Sequence, residues 1–161
     1  MHSKTPRLMQ VALAATLSLA LAPAWAVDSD APPKSDKLSA ARALIAQKNL
    51  PGAIAELKKV NDSGSADWNN LMGYTSRKGE SPDLAAAEKY YDAALRIDPK
   101  HRGTLEYSGE LYLMKGDLPM AEKRLAALDK ACTLPCAEYT DLKNAVARYK
   151  ANGNKSASSD Y

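Results

Sequence analysis

Residues 115–125, KGDLPMAEKRL, repeat the plan of residues 48–57, KNLPGAIAEL: a polar residue able to cap a helix, then Leu-Pro, then an alanine-led apolar stripe. Ala53, Ala87 and Ala121 stand 34 residues apart in both intervals, and the same interval relates Leu50/Leu84/Leu118, Leu57/Tyr91/Leu125 and Val60/Ala94/Leu128. Within each copy the small residue and two larger apolar residues follow the leucine by three, seven and ten positions, which places them on one stripe of a helix. A period of this length built from helices predicts stacked helical hairpins.

The punctuation agrees with that period. Asn49 and Asp117 can cap two of the helices, and Ser81-Pro82-Asp83 offers the third a capping serine with proline at the first helical position. Gly79 and Gly116 stand where a left-handed residue would close the preceding helix, and Asp98-Pro99 is read as the boundary that starts the next copy. These signals predict helices over about 36–47, 50–61, 66–78, 82–97, 99–115 and 118–131. A seventh is predicted over 137–150, where Leu142, Val146 and Tyr149 recur at helical spacing and would cover the last apolar face.

Two segments carry a further pattern. Trp68, Leu71 and Gly73 in DWNNLMGY, and Leu105, Gly109 and Tyr112 in LEYSGELYLMKGD, resemble the opening of a tetratricopeptide repeat. Gly109, Tyr112, Gly116, Leu118, Ala121 and Leu125 fall in that family's register, whereas the copy at Trp68 has a displaced glycine and extra residues around Glu80–Pro82. The first copy departs further, with Ala41 and Leu44 in place of the glycine and tyrosine. The resemblance implies an all-α solenoid of three helix-turn-helix repeats, about 36–65, 66–101 and 102–135, closed by the helix at 137–150. Small residues are needed where such helices cross, so a large side chain at Ala87 would cost about 1–3 kcal/mol by overpacking.

The first residues read as an export signal. MHSKTPR is basic, an Ala/Leu-rich run follows, and Ala24-Trp25-Ala26 has the small-x-small form of a cleavage site. Cleavage after Ala26 is expected to leave a polar linker at 27–35, the domain at 36–150 and a Gly/Ser/Asn-rich disordered tail at 151–161. The apolar run is shorter than the roughly 20 residues of a membrane span. The expected location is periplasmic or secreted, without a membrane anchor.

Charge points away from nucleic acid. The chain has 22 Lys and Arg against 19 Asp and Glu, and loss of Lys4 and Arg7 with the signal leaves an excess of one, scattered among acids. Cys132 and Cys136 in CTLPC are the only cysteines. In an exported chain they most simply form a disulfide; a redox centre or a metal site is the alternative, although C-x-x-C spacing is absent and His101 is the only histidine beyond the signal. No phosphate-binding glycine loop, H-E-x-x-H or G-x-S-x-G occurs. Neither an enzyme nor a cofactor is expected.

What the family resemblance implies instead is a concave face that binds a protein or peptide. Its positions carry over to Asn70, Tyr74 and Arg77 in the middle repeat, Glu106, Tyr107 and Glu110 in the last, and Arg42 in the first. The expectation is an exported, non-enzymatic adaptor for a partner in the cell envelope. Self-assembly into a homo-oligomer and redox or metal handling by Cys132 and Cys136 are its alternatives.

Overall fold

A computed structural model describes residues 36–156; the expected signal segment at 1–26, the expected linker at 27–35 and the end of the expected tail, from 157 onward, lie outside the described residues. The described chain is helical throughout: α1 Ser39–Ala46, α2 Leu50–Val60, α3 Ala66–Lys78, α4 Leu84–Ile97, α5 Arg102–Met114, α6 Leu118–Ala131 and α7 Ala137–Ala151. α1 pairs with α2, α3 with α4 and α5 with α6, while α7 packs on both α5 and α6.

Capping explains why the helices begin where they do. Asn49, Ser65, Asp83 and Asp117 each accept a hydrogen bond from a first-turn backbone N–H, satisfying donors that a helix start leaves free. The expected Ser81 cap is therefore corrected: Asp83 Oδ1 accepts from the Ala86 N–H at 2.9 Å, and Pro82 lies before the helix. Because the helix starts at Leu84, Ser81 stands two residues before the cap, too early for its hydroxyl to serve the first-turn N–H groups. α5 likewise starts later than Pro99. Asp98 closes a turn of its own on the Lys100 N–H, and the His101 ring accepts from the Thr104 N–H at 3.1 Å to cap the helix.

The helix ends divide into two kinds. After α5, Gly116 adopts φ +77° and the Asp117 N–H returns to the Tyr112 carbonyl, a left-handed stop. Two periods earlier Lys48 takes the same role at φ 60°, with the Asn49 N–H bonded to the Leu44 carbonyl. Gly79, expected to behave likewise, is extended at φ −65° and ψ 167°. The connection between α3 and α4 is longer, and its Pro82 occupies the position equivalent to Lys48 and Gly116, where a positive φ is closed to proline. At the far end Asn152–Asn154 cap α7, so the segment expected to be a disordered tail from 151 begins as the stop of that helix.

Repeated positions become repeated packing. Ala53, Ala87 and Ala121 are each fully buried. Leu38, Ala41, Leu57, Trp68, Leu71 and Met72 form one core, in which the Trp68 indole N–H donates to the Leu57 carbonyl at 2.7 Å. A second core joins Leu105, Tyr112, Leu113 and Leu128 to Leu142, Val146 and Tyr149 of α7. A Cβ on Gly73 would stand 2.5 Å from the Tyr91 ring, and one on Gly109 would stand 2.5 Å from Leu142. The groups that approach the two glycines are thus Tyr91 and Leu142.

Candidate functional site

The equivalent faces of α3 and α5 meet along one row of side chains. Tyr74 and Tyr107, both half-buried, pack with ring centroids 5.0 Å apart and planes tilted by 50°. The Arg77 guanidinium lies 6.0 Å from the Tyr74 centroid and 5.7 Å from that of Tyr107. Its Nη2 donates to Glu110 Oε2 at 2.6 Å, and its Nη1 approaches the Met114 sulfur at 3.9 Å. Five of the residues expected to bind a partner are therefore neighbours: Tyr74, Arg77, Glu106, Tyr107 and Glu110.

Arg77 is not open to solvent. Its side chain is 1% exposed, and that of Glu110 15%. Burial opposes the Arg77 charge, while the charge and hydrogen bond of the Glu110 carboxylate favour it, and the guanidinium pKa lies above its ordinary value. Arg77 Nε and the Tyr91 hydroxyl are buried near one another without a hydrogen bond of ordinary geometry. Burial also pushes the Tyr91 hydroxyl up and that of Tyr107 to about 12, so both tyrosines are neutral across the usual pH range.

Glu106 has the opposite surroundings. No hydrogen bond or ion pair reaches it among the described residues. Burial, followed by the negative charges of Glu110, Asp141 and Glu138, pushes its carboxyl up to about 8 against the pull of Arg77. Glu138 and Asp141 belong to α7, one turn apart, and sequence spacing alone did not connect them with α5.

Asn70 and Arg42 bond to other residues. Asn70 is buried and accepts from the Thr104 hydroxyl at 3.1 Å. Arg42 is exposed and paired with Asp36 at 3.4 Å and Asp67 at 3.3 Å. Asp67 also meets His101 Nε2 at 3.0 Å. Since the Thr104 N–H donates to Nδ1, the neutral ring carries its proton on Nε2 and donates it to Asp67. First the His101 hydrogen bond, and then the Arg42 charge, hold the Asp67 carboxyl below its usual range despite partial burial. The signal for this network was present in the spacing: Asp67 and His101, like Asn70 and Thr104, are 34 residues apart.

Cys132 and Cys136 stand at bonding distance, with 2.03 Å between sulfurs, and join the end of α6 to the start of α7. An open groove of about 780 Å³ runs beside Tyr74, walled by Ile45, Leu50, Pro51 and Ile54 with Lys48 and Asp83 among its polar lining. Among the described residues no group of three or more His, Cys, Asp or Glu is placed to hold a metal ion, and no helix is long and apolar enough to cross a membrane. Compared with family models, curated proteins and solved structures, the chain matches none.

Proposed function

We propose that this chain is an exported, non-enzymatic adaptor that holds a protein or peptide partner against the joined faces of α3 and α5. The observation that carries the reading is the half-buried Tyr74–Tyr107 pair, seated on the Arg77–Glu110 ion pair. Half-exposed tyrosines that are already packed lose little freedom when a partner covers them, and they present both an apolar ring and a hydroxyl. Arg77 and Asn70 act from beneath: they fix α3 against α5 and set the spacing of the rings, while Tyr74, Tyr107, Glu106 and Glu110 supply contact area. The 34-residue recurrence of Leu, Ala and apolar positions supports a tetratricopeptide-like stack as the scaffold, with α7 as its closing helix. The basic and apolar opening of the chain and the Cys132–Cys136 bond support passage to an oxidising compartment, the periplasm or the medium.

Hydrogen exchange on the chain with and without a candidate envelope partner tests this directly. Protection is expected in α3 and α5 around Tyr74 and Tyr107, and it should be lost in the Tyr74→Ala/Tyr107→Ala variant while helical circular dichroism is retained. Protection confined to α2, α4 or α6 would place binding elsewhere and overturn the reading.

A further inference from the structure

The face that carries Tyr74 and Tyr107 is bordered by acids whose cations are already engaged. Glu106 and Glu110 project from α5, and Glu138 and Asp141 from α7. Arg77 is committed to Glu110 and enclosed, and Arg102 stands 3.5 Å from Glu138. Lys78 on α3 is close enough to feel Glu110, but Arg77 lies beside it as a like charge. Among the described residues neither Glu106 nor Asp141 has an ion-pair or hydrogen-bond partner. The Tyr91 hydroxyl, on a fully buried side chain, is also without a partner and faces the same group of Arg77, Tyr107 and Glu110.

We infer that the partner segment docked on this face is basic, and that it presents a Lys or Arg side chain to Glu106 beside the Tyr74 and Tyr107 rings. The inference rests on the reading of the face as a docking site, and it adds the chemistry of the occupant. Three features converge on a cation. Two carboxylates lack a counter-charge, two ring faces attract ammonium or guanidinium groups, and the partly enclosed position of Glu106 strengthens any pair formed there. An acidic segment would add negative charge beside Asp141 and oppose ionisation of Glu106, and a purely apolar one would bury Glu106 with nothing to satisfy it. Binding is also coupled to a proton. Glu106 releases its proton near pH 8 in the free protein, and a cation beside it shifts that release downward, so the basic segment binds more tightly as pH rises towards that value.

Three labelled peptides of equal length, one rich in Lys and Arg, one in Glu and one in Ser, would be titrated against the full chain by fluorescence anisotropy at about pH 6 and pH 9. Amide chemical shifts would map the contact. The basic peptide is expected to bind about tenfold more tightly than the Ser peptide at the higher pH, with shifts at Tyr74 and Tyr107. Its affinity should fall towards pH 6, and Glu106→Gln should remove that dependence while leaving the melting curve at about pH 4 unchanged. Equal or tighter binding of the Ser or Glu peptide with shifts at the same tyrosines would overturn the charge inference and leave the docking face standing. Shifts confined to other helices, or no binding by any of the three, would overturn both.

Discussion

Arg77 of α3 and Glu110 of α5 form a 2.6 Å ion pair from which solvent is almost excluded on the arginine side. The two residues are 33 positions apart, and their bond ties one helical hairpin to the next. Removing one member of a buried pair leaves the other charged and unsolvated, which typically costs about 3–5 kcal/mol. The two members are not equivalent, because the Glu110 side chain retains 15% exposure and Arg77 only 1%. Glu110→Leu should therefore destabilise more than Arg77→Met, in which the carboxylate left behind can hydrate. The double variant should recover part of the loss seen in Glu110→Leu alone, since it leaves no buried charge. Urea unfolding of the four proteins checks the order; equal losses in both single variants would mean that the pair opens to water.

Glu106 makes the stability depend on pH in the direction opposite to a salt-bridged carboxylate. It titrates at about 8 in the fold against 4.5 for the free group, so between those values the folded state holds a proton that the unfolded state has released. Stability contributed by this group is complete below about pH 4.5 and is lost as pH rises to about 8. Glu106→Gln removes the titration. The variant should match wild type at pH 4 and exceed it at pH 9 by on the order of 1–2 kcal/mol, a figure already reduced for solvent screening of a half-buried side chain. Thermal melts across that range provide the check, and parallel curves for the two proteins would show that Glu106 ionises freely.

Much of this architecture was legible along the chain, for a physical reason. A helix that packs on its neighbours repeats its small and large residues at fixed offsets, and Ala53, Ala87 and Ala121 are each sealed in the same way. Short polar side chains before an apolar run mark helix starts, so Asn49 and Asp117 could be read directly as caps. Competing signals hid the rest. Ser81, Asp83, Asp98 and His101 can all accept a backbone hydrogen bond, and only the tertiary path decides which of them, Asp83 and His101, cap a helix. Tyr74, Arg77, Tyr107 and Glu110 could be assigned to one face only through the resemblance to a tetratricopeptide repeat. Burial of Arg77 and Asn70 could not be assigned, because each is enclosed by a residue 33 or 34 positions away, Glu110 and Thr104. The acids facing Glu106 depend on the seat of α7, which no column of the repeat specifies.

Gly73 and Gly109 occupy related places on α3 and α5 but face different neighbours. Alanine would improve the propensity of either helix by up to about 1 kcal/mol, and overpacking opposes that gain. At Gly73 the new methyl would collide with the body of the Tyr91 ring, which is wholly buried and has no space to retreat. At Gly109 it would meet the branched end of Leu142, as deeply buried as Tyr91 but a shorter side chain whose tip, and not a rigid ring, must give way. Gly73→Ala should therefore cost about 1–3 kcal/mol, and Gly109→Ala distinctly less. Chemical denaturation ranks them, and the reverse order would mean that α7 is held more rigidly against α5 than α4 is against α3.

The Cys132–Cys136 bond closes the turn between α6 and α7, and its removal separates two contributions. Loop entropy for so short a ring amounts to about 2 kcal/mol. α7 is held independently by the buried Leu142, Ala145, Val146 and Tyr149, so losing the bond should lower the denaturation midpoint without releasing the helix. Cys136 is itself the residue before the first turn of α7, extended at φ −110° and ψ 158°, and its side chain caps nothing. A serine there has a hydroxyl able to accept from the first-turn N–H groups. Cys132→Ala/Cys136→Ser should consequently be more stable than Cys132→Ala/Cys136→Ala by about 0.5–1 kcal/mol, with both below the oxidised protein. Urea titrations with helical circular dichroism in the baselines supply the comparison. Loss of about one helix worth of signal from the native baseline of either variant would mean that the disulfide, and not the apolar face of α7, keeps that helix in place.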